Sequence, residues 1–294
     1  MKPGKLKKFI LNALFVLILL ALAFYLLFPF YWAIVSSFKS PSELFQVPVQ
    51  YIPKFSVGFE NYEVVFNNDD FFRGLINSTI VSLSVTALAI SVGSFAAYAL
   101  GRLPFRGKST IMYLILAMTM FPLIAVVGSL FTFIRNPCVV VGAECTQLSM
   151  FNTRTGLVVT YLVFALPFTT WVLTNFFKSL PAELEQAALV DGATPFQTFY
   201  MVLLPLTVPA VVTTGMLAFI AAWNEFLFAL TFTLDFNSRT VQPAIAFFRG
   251  ASEREVPWGN IMAASVVVTV PLILLVLIFQ RRIVDGLTAG AVKG

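Results

Sequence analysis

The sequence predicts an all-α integral membrane protein with six transmembrane helices in a single domain, 1–294. Of its 294 residues 59% are hydrophobic and 11% are charged, whereas a soluble domain carries about 25% charged residues. Six apolar segments reach the roughly 20 residues that a helix needs to cross the hydrocarbon core of a bilayer. The predicted spans are residues 9–35, 75–100, 110–134, 156–177, 203–230 and 260–280.

The first apolar run and the basic residues give the predicted topology. The run after KPGKLKK is too long for the apolar part of a signal peptide and lacks a small-residue cleavage site, so it is predicted to span the membrane. Basic residues favour cytoplasmic connections. If the N-terminus is cytoplasmic, that side carries Lys2, Lys5, Lys7, Lys8, Arg102, Arg106, Lys108, Lys178, Arg281, Arg282 and Lys293. The opposite side carries fewer basic residues over longer connections, so both termini are predicted to be cytoplasmic.

The residue types exclude several classes of function. The chain has no histidine, which excludes Ser-His-Asp, Cys-His and His-metal sites. It has no G-x-x-x-x-G-K-[ST] phosphate loop, so it is not expected to bind ATP itself. The net charge of +5 is dispersed, which does not favour nucleic acid as a partner. We therefore predict no catalytic residues, no cofactor and no metal in this chain, with membrane lipid around it.

The two cysteines, Cys138 and Cys145, lie in the connection RNPCVVVGAECTQLSMFNTRT. The predicted topology places this connection outside the cytoplasm, where an oxidising environment favours a disulfide in a small loop. The alternative is two unpaired thiols. A metal site is not expected, because the sequence has neither histidine nor a second cysteine pair.

Two patterns concern the packing of the predicted spans. Ala89, Gly93, Ala97 and Gly101 recur every four residues, which predicts a smooth helix face that another helix can approach closely. Prolines tend to kink a helix because each removes a backbone hydrogen bond. The prolines inside predicted spans are Pro122, Pro167, Pro205, Pro209 and Pro271.

Glu225 is the one ionisable residue well inside a predicted span. A carboxylate in hydrocarbon is costly, so it should face a polar cavity, a partner subunit or the membrane boundary. Glu225 and its neighbour Asn224 are candidates for lining a translocation path. The alternative is a carboxylate close to the outer interface, because the predicted span ends only a few residues later.

The segment SLPAELEQAALVDGATPFQTFY, residues 179–200, is predicted to form two short helices in the cytoplasm. Pro181 suits the first turn of a helix, and Gly192 suits its end. Thr194-Pro195-Phe196-Gln197 matches a capping box with proline at the first helical position. The second helix is expected to place Phe196, Phe199, Tyr200 and Leu203 on one face. Small residues at the junction favour a docking surface; the alternative is a connector that lies on the membrane.

The stretch EQAALVDGATPFQTFYMVLLPL resembles the EAA signature of ABC importer permeases, E-A-A-x3-G-x9-I-x-L-P. Val202 stands at the isoleucine position and Gln186 at the glutamate position, with Glu185 one residue earlier. The resemblance implies that this cytoplasmic loop, 179–202, sits in a cleft of an ATPase subunit and transmits its closure to the spanning helices. The residues implied in this coupling are Glu185, Gln186, Ala187, Ala188, Asp191 and Gly192.

The resemblance extends over nearly the whole chain. SSFKSPSELF, NSTIVSLSVTALAISVGSFAAYALGRLPFRGK, AFIAAWNEFLFAL and RRIVDGLTAGAVKG are similar to the carbohydrate-uptake (maltose-type) permeases, closest to their six-span second subunit. The fold implied is that of a type I ABC importer permease. The resemblance also implies that the tail, 281–294, reaches between two ATPases. The tail residues at that interface would be Gly286, Leu287, Thr288, Ala289 and Gly290.

The implied function is sugar import across the bacterial cytoplasmic membrane, with maltose, maltodextrin or a related oligosaccharide as substrate. The implied partners are a second, different permease subunit, two ATPase subunits that bind the ATP, and an extracytoplasmic sugar-binding protein that meets the external loop, 231–259. The alternative is an ion-coupled carrier or channel that works without ATPases, although such carriers commonly contain several intramembrane charges. A membrane scaffold or enzyme is a third class.

Overall fold

The structure is a computed structural model that describes residues 3–52, 59–136, 138–141, 144–147, 149–248 and 256–289. The backbone alone is described for 3–6, 138–141, 144–147 and 281–289. In chain order the elements are α1 (Pro3–Ser37), α2 (Pro41–Leu44), α3 (Glu60–Phe66), α4 (Asp69–Arg102), α5 (Lys108–Thr119), α6 (Leu123–Arg135), β1 (Cys138–Val141), β2 (Glu144–Gln147), α7 (Arg154–Ser179), α8 (Glu183–Val190), α9 (Pro195–Leu206), α10 (Val208–Trp223), α11 (Leu227–Phe232), α12 (Val241–Ala246) and α13 (Trp258–Ala289).

Within these described ranges the helices provide up to six membrane spans. Four are single helices long and apolar enough to cross a bilayer, namely Lys7–Ser37, Asp69–Arg102, Arg154–Ser179 and Trp258–Gln280. The other two are the bent pairs α5 with α6 and α9 with α10. Apart from the short β1–β2 pair, the regular structure is helical, so the all-α fold class is confirmed.

The third and fifth predicted spans are not continuous helices. The axes of α5 and α6 differ by 98°, with the break at Met120–Pro122. Pro122 has extended backbone angles and directly precedes α6, because proline lacks the N–H that would continue the preceding helix. The axes of α9 and α10 differ by 77°. The fifth predicted span is interrupted again between Trp223 and Leu227.

The described residues form two compact units, one from 1–68 and 245–269 and the other from 69–244 and 270–294. In the first unit, Lys39 is buried beneath the ring of Trp32, 4.5 Å from the ring centroid, and donates a hydrogen bond to the carbonyl oxygen of Gln50. Burial lowers the pKa of Lys39, and the nearby Glu43 carboxylate opposes that shift. The Asn61 amide donates to the carbonyl oxygens of Ser37 and Lys39, each at 2.9 Å. These contacts fix the turn that follows α1.

The second unit is built around the packing of α4 against α7. Ala89 and Ala97 are fully buried. A methyl group added at Gly93 would lie 2.8 Å from Cγ2 of Thr169, and one added at Gly101 would lie 3.1 Å from Cβ of Phe177. The four-residue repeat of small side chains therefore serves close helix packing, as predicted.

The two cysteines lie on the antiparallel pair β1–β2. Their backbone register sets Cys138 opposite Gln147 and Cys145 opposite Val140, so the cysteines are not direct cross-strand partners. Their side chains lie outside the described part of the chain. The Cys138–Cys145 disulfide stays a prediction.

Candidate functional site

The 179–202 segment forms a helical hairpin of α8 and α9. Helix α8 ends in a Schellman motif: the Ala193 N–H donates to the Ala188 carbonyl at 2.9 Å, and the Gly192 N–H donates to the Leu189 carbonyl at 3.1 Å. Gly192 has a φ of +80°, in the left-handed region where glycine is favoured, and no atom lies within 4 Å of the place a Cβ would occupy. The turn is therefore tight and open on its outer side.

Helix α9 begins at the predicted capping box. The Thr194 N–H donates to Oε1 of Gln197 at 2.8 Å, and the Gln197 N–H donates to Oγ1 of Thr194 at 3.3 Å, with Pro195 at the first helical position. These reciprocal bonds satisfy two backbone donors that no helical carbonyl can reach.

The residues of the expected apolar face of the second helix are unequally buried, and Phe196 and Phe199 both pack against the ring of Phe95. Phe199 and Leu203 are buried, whereas Phe196 and Tyr200 are 63% and 61% exposed. From Thr198 to Leu203 the helix is π-helical, so its wider turns depart from the α-helical i, i+3, i+4, i+7 pattern.

An ion pair fastens α8 to the end of α4. Nη1 of Arg102 lies 3.6 Å from Oε2 of Glu185, with the two side chains 10% and 22% exposed. Nη2 of Arg102 donates to the carbonyl oxygen of Leu180, at the end of α7. One guanidinium thus ties together the ends of two spanning helices and the first turn of α8.

An aromatic cluster fastens α9 to the same two helices. The rings of Tyr98 and Phe199 have centroids 5.0 Å apart, and the rings of Phe177 and Phe199 are 6.0 Å apart. Phe95 packs against Phe199 at 5.1 Å. The Tyr98 hydroxyl donates to the carbonyl oxygen of Pro195 at 3.2 Å. The hairpin therefore rests on a packed base rather than on a flexible linker.

The signature residues divide into an inner and an outer set. Ala188 is 7% exposed and Glu185 points to Arg102, so these two belong to the base. The outer set is exposed and consists of Gln186, Ala187, Asp191 and Gly192. Two apolar neighbours, Leu189 and Val190, are 55% and 88% exposed. The outward surface of the hairpin is thus small and partly apolar, which suits a protein partner.

Glu225 caps α11 in the break of the fifth predicted span. Its Oε1 accepts from the Phe228 N–H at 2.8 Å and its Oε2 from the Ala229 N–H at 3.0 Å. The carboxylate also borders a cavity of about 350 Å³ with Tyr161 among its lining residues. The neighbouring Asn224 is exposed and donates to the carbonyl oxygen of Ile220 at 3.0 Å. Backbone N–H groups therefore compensate the carboxylate.

Asn152 organises the start of the 231–259 loop. Its Oδ1 accepts from Oγ of Ser238 at 2.6 Å and from the Leu234 N–H at 2.8 Å, while its Nδ2 donates to Oδ2 of Asp235 at 3.0 Å. Asn152 has a φ of +57°, which asparagine tolerates better than most residues.

Asn77 of α4 holds the next part of that loop. Its Nδ2 donates to the carbonyl oxygens of Phe236, Asn237 and Arg239, at 3.2, 3.2 and 2.8 Å. Its Oδ1 accepts from Nε of Arg154 at 2.7 Å. Sequence reasoning did not identify Asn77, Asn152 or Arg102 as site residues. The signal in the sequence was weak and concerned Asn77 alone: it is a polar amide inside an apolar span.

The predicted site in the C-terminal tail is described by its backbone only. The backbone of α13 is helical through Ala289, which includes Gly286, Leu287 and Thr288; their side chains and Gly290 lie outside the described residues. In the part of the chain that the structure describes, no group of three or more His, Cys, Asp or Glu residues could hold a metal ion.

An all-helical chain with several spans and a signature hairpin fastened to two of them is typical of the membrane component of an importer. The chain belongs to the family of binding-protein-dependent transport system inner membrane components, whose model matches residues 89–288. It is accordingly a multi-pass permease subunit of an ABC importer and not itself an enzyme, because the ATPase activity of such importers lies in separate subunits.

Relatives cover almost the whole chain. It is 42% identical over 270 residues to the trehalose/maltose transport system permease protein MalG of Thermococcus litoralis, covering 91% of this chain and 92% of that protein. It is 43% identical over 270 residues to the trehalose transport system permease protein SugB of Mycobacterium tuberculosis, covering 92% and 93%. A solved bacterial ABC transporter involved in the import of the acidic polysaccharide alginate has a similar fold, with a TM-score of 0.74, 19% identity and coverage of 96% and 98%.

Proposed function

We propose that the chain imports an oligosaccharide of the trehalose, maltose or maltodextrin class. The support is the pair of relatives above, both of which are described as permeases for such sugars and match nearly end to end. The importer would contain this chain, a second and different permease subunit, two ATPase subunits that bind ATP, and a soluble sugar-binding protein. Both termini would face the cytoplasm, with the 231–259 loop on the opposite side toward the binding protein.

The observation that carries the mechanism is the anchored hairpin. ATP-driven closure of a partner would press on the outer residues Gln186, Ala187, Asp191 and Gly192. The ion pair from Glu185 to Arg102 and the aromatic base around Phe199 would pass that displacement to α4 and α7. Packed elements transmit displacement because protein interiors are densely filled.

The translocation path would run beside the break between α10 and α11. Non-helical backbone at membrane depth is tolerated where it lines a cavity or is buried in protein. Glu225 borders such a cavity, and Asn224 is exposed next to it. The tail residues from Gly286 to Gly290 would meet the ATPase pair.

The test is a bulky substitution at the outer turn, Gly192→Gln, with Gly107→Gln as its matched control. Both glycines have a positive φ, +80° and +86°, and neither has an atom within 4 Å of a Cβ position. Each variant therefore costs a similar roughly 1–2 kcal/mol of backbone strain. Only Gly192 lies on the proposed docking surface. We expect Gly192→Gln to reduce uptake at least tenfold in a reconstituted importer, with Gly107→Gln near wild type.

Two measurements accompany the uptake assay. They are co-purification of the ATPase subunits and ATP hydrolysis with a panel of sugars. Equal uptake by the two variants would contradict the docking role of the hairpin. Uptake without any ATPase subunit would favour the ion-coupled carrier instead. ATP hydrolysis stimulated by maltose, maltodextrin or trehalose in the presence of the binding protein identifies the sugar; stimulation by none of them would reject the proposed substrate class.

A further inference from the structure

A cavity of about 550 Å³ lies where α5 packs against α7, apart from the hairpin's outer surface. Two lysines, Lys108 and Lys178, line it together with polar Ser109 and Asn175. The remaining lining is largely aromatic or apolar and includes Phe105, Met112, Tyr113 and Trp171. This combination of two cations with an aromatic wall is not used by the coupling mechanism.

Within the described part of the chain the two lysines have no carboxylate partner. The charges that act on Lys108 are those of Lys178 and Arg102, all cationic. Glu185, whose carboxylate lies at the C-terminal end of α4, is already paired with Arg102. Among the described residues no carboxylate lies within ion-pair distance of Lys108 or Lys178. Nζ of Lys108 is held in place by the carbonyl oxygen of Gly101 at 3.0 Å. The cavity therefore presents a fixed excess of positive charge.

The cavity lies at a membrane boundary. Lys108 is the first residue of the bent span formed by α5 and α6. Lys178 is the penultimate residue of the span formed by α7. Helix α5 begins here, so its first N–H groups add positive potential at the same place. Trp171 and Tyr113 are residue types that settle at the headgroup level of a bilayer. Basic pockets between spanning helices at this depth bind anionic lipid headgroups.

We propose that this cavity binds the phosphate group of an anionic phospholipid. The phosphate contacts Lys108, Lys178 and the Ser109 hydroxyl, and the upper part of the acyl chains lies along Phe105 and Tyr113. The shared chemistry is that of a phosphate ester, which a soluble phosphate also presents. The aromatic lining favours the lipid, because a free phosphate gains nothing from it.

The test uses the purified full-length chain in detergent, incubated with equal amounts of phosphatidylglycerol and phosphatidylethanolamine. Native mass spectrometry then counts the lipids that stay bound. Lys178→Gln is the informative variant, because Lys178 makes no side-chain hydrogen bond within the described structure. Arg106→Gln is the matched control, since Arg106 is an exposed cation of the same connection that does not line the cavity.

We expect wild type and Arg106→Gln to retain phosphatidylglycerol in preference to phosphatidylethanolamine. In Lys178→Gln the amount of bound phosphatidylglycerol should fall about fivefold, and in Lys178→Arg it should return to the wild-type amount. Equal retention by Lys178→Gln and Arg106→Gln would overturn the site, as would equal retention of the zwitterionic lipid. If added inorganic phosphate displaces the phospholipid, the site takes a soluble phosphate and the lipid assignment is wrong.

Discussion

Arg102 is the residue that joins the spans to the hairpin. It contacts Glu185 of α8 and the carbonyl oxygen of Leu180 while belonging to α4 itself. An ion pair this poorly exposed loses less strength to solvent screening than a surface pair does. A pair worth about 1 kcal/mol would bias an equilibrium between two hairpin positions about fivefold.

We expect Glu185→Gln to weaken the coupling between ATP hydrolysis and transport. The variant keeps the size of the side chain but removes the charge that holds Arg102. Glu183→Gln is its matched control, because Glu183 is an exposed carboxylate in the same first turn of α8. Both variants lose the same favourable charge at the helix N-terminus.

The measurement is sugar transported per ATP hydrolysed in proteoliposomes that contain the assembled importer. Glu185→Gln should lower that ratio about fivefold, in line with a loss of about 1 kcal/mol, while Glu183→Gln should stay close to wild type. If the two variants behave alike, the ion pair has no transmitting role and the aromatic base carries the hairpin alone.

For single residues of the hairpin, the sequence predicted which ones matter but not which side chains they contact. The signature match indicated Glu185 and Gln186, and the structure separates them: one faces Arg102 and the other is exposed. Arg102 lies 83 positions from Glu185 in the chain, so no local spacing rule could pair them. The Schellman motif at Gly192 and the capping box at Thr194 were predictable because their hydrogen bonds are local.

Among the elements, the segment 234–241 is held by α4 and by Asn152, which lies just before α7. Asn77 donates to three loop carbonyl groups, and Asn152 binds both backbone and side chains of the same loop. A buried polar group that loses its partner costs about 1–3 kcal/mol. These two amides therefore contribute to the order of the segment 234–241.

We expect Asn77→Leu to loosen the segment 234–241 without unfolding α4. Leucine has a similar size but can form none of the four hydrogen bonds that the amide makes to this loop and to Arg154. Thr79→Ala is the control, because the exposed Thr79 hydroxyl bonds only the carbonyl oxygen of Leu75 in its own helix.

Hydrogen–deuterium exchange of the full chain measures the effect. Amides of 234–241 should exchange about tenfold faster in Asn77→Leu, which corresponds to a loss of about 1.4 kcal/mol of local stability within the range for an unsatisfied polar group. The amides in the centre of α4 should be unchanged. Unaltered exchange in 234–241 would show that Asn152 alone suffices to order the loop.

The positions of the membrane spans were easier to predict than the breaks within their helices. Hydropathy located the apolar segments, because a bilayer imposes a minimum length on each. Pro122 was identified as a helix breaker, yet a proline does not specify a 98° change of direction. The break at Asn224–Phe226 depends on Glu225 capping α11, a role that composition could not separate from lining a path. The π-helical stretch in α9 has no sequence pattern of its own.

At the scale of the whole molecule, the last helix continues past the end of its candidate membrane span. The apolar part of α13 ends at Gln280, and its helical backbone continues to Ala289. Nine further helical residues extend roughly 14 Å at 1.5 Å per residue. The resemblance of GLTAGAVKG to the tails of maltose-type permeases places this extension between the two ATPases in our proposal.

Deleting residues 286–294 should therefore weaken communication with the ATPases while leaving the hairpin to hold them. We expect ATP hydrolysis stimulated by sugar and binding protein to fall about fivefold, as for a coupling loss of about 1 kcal/mol. The control deletion, 291–294, spares Gly286 to Gly290 and should keep most of the stimulation. Co-purification of both ATPase subunits with each variant shows that assembly is intact. Because the hairpin and the tail are separate contacts in this proposal, unchanged stimulation in the longer deletion would contradict the tail's role and leave the hairpin as the route of coupling.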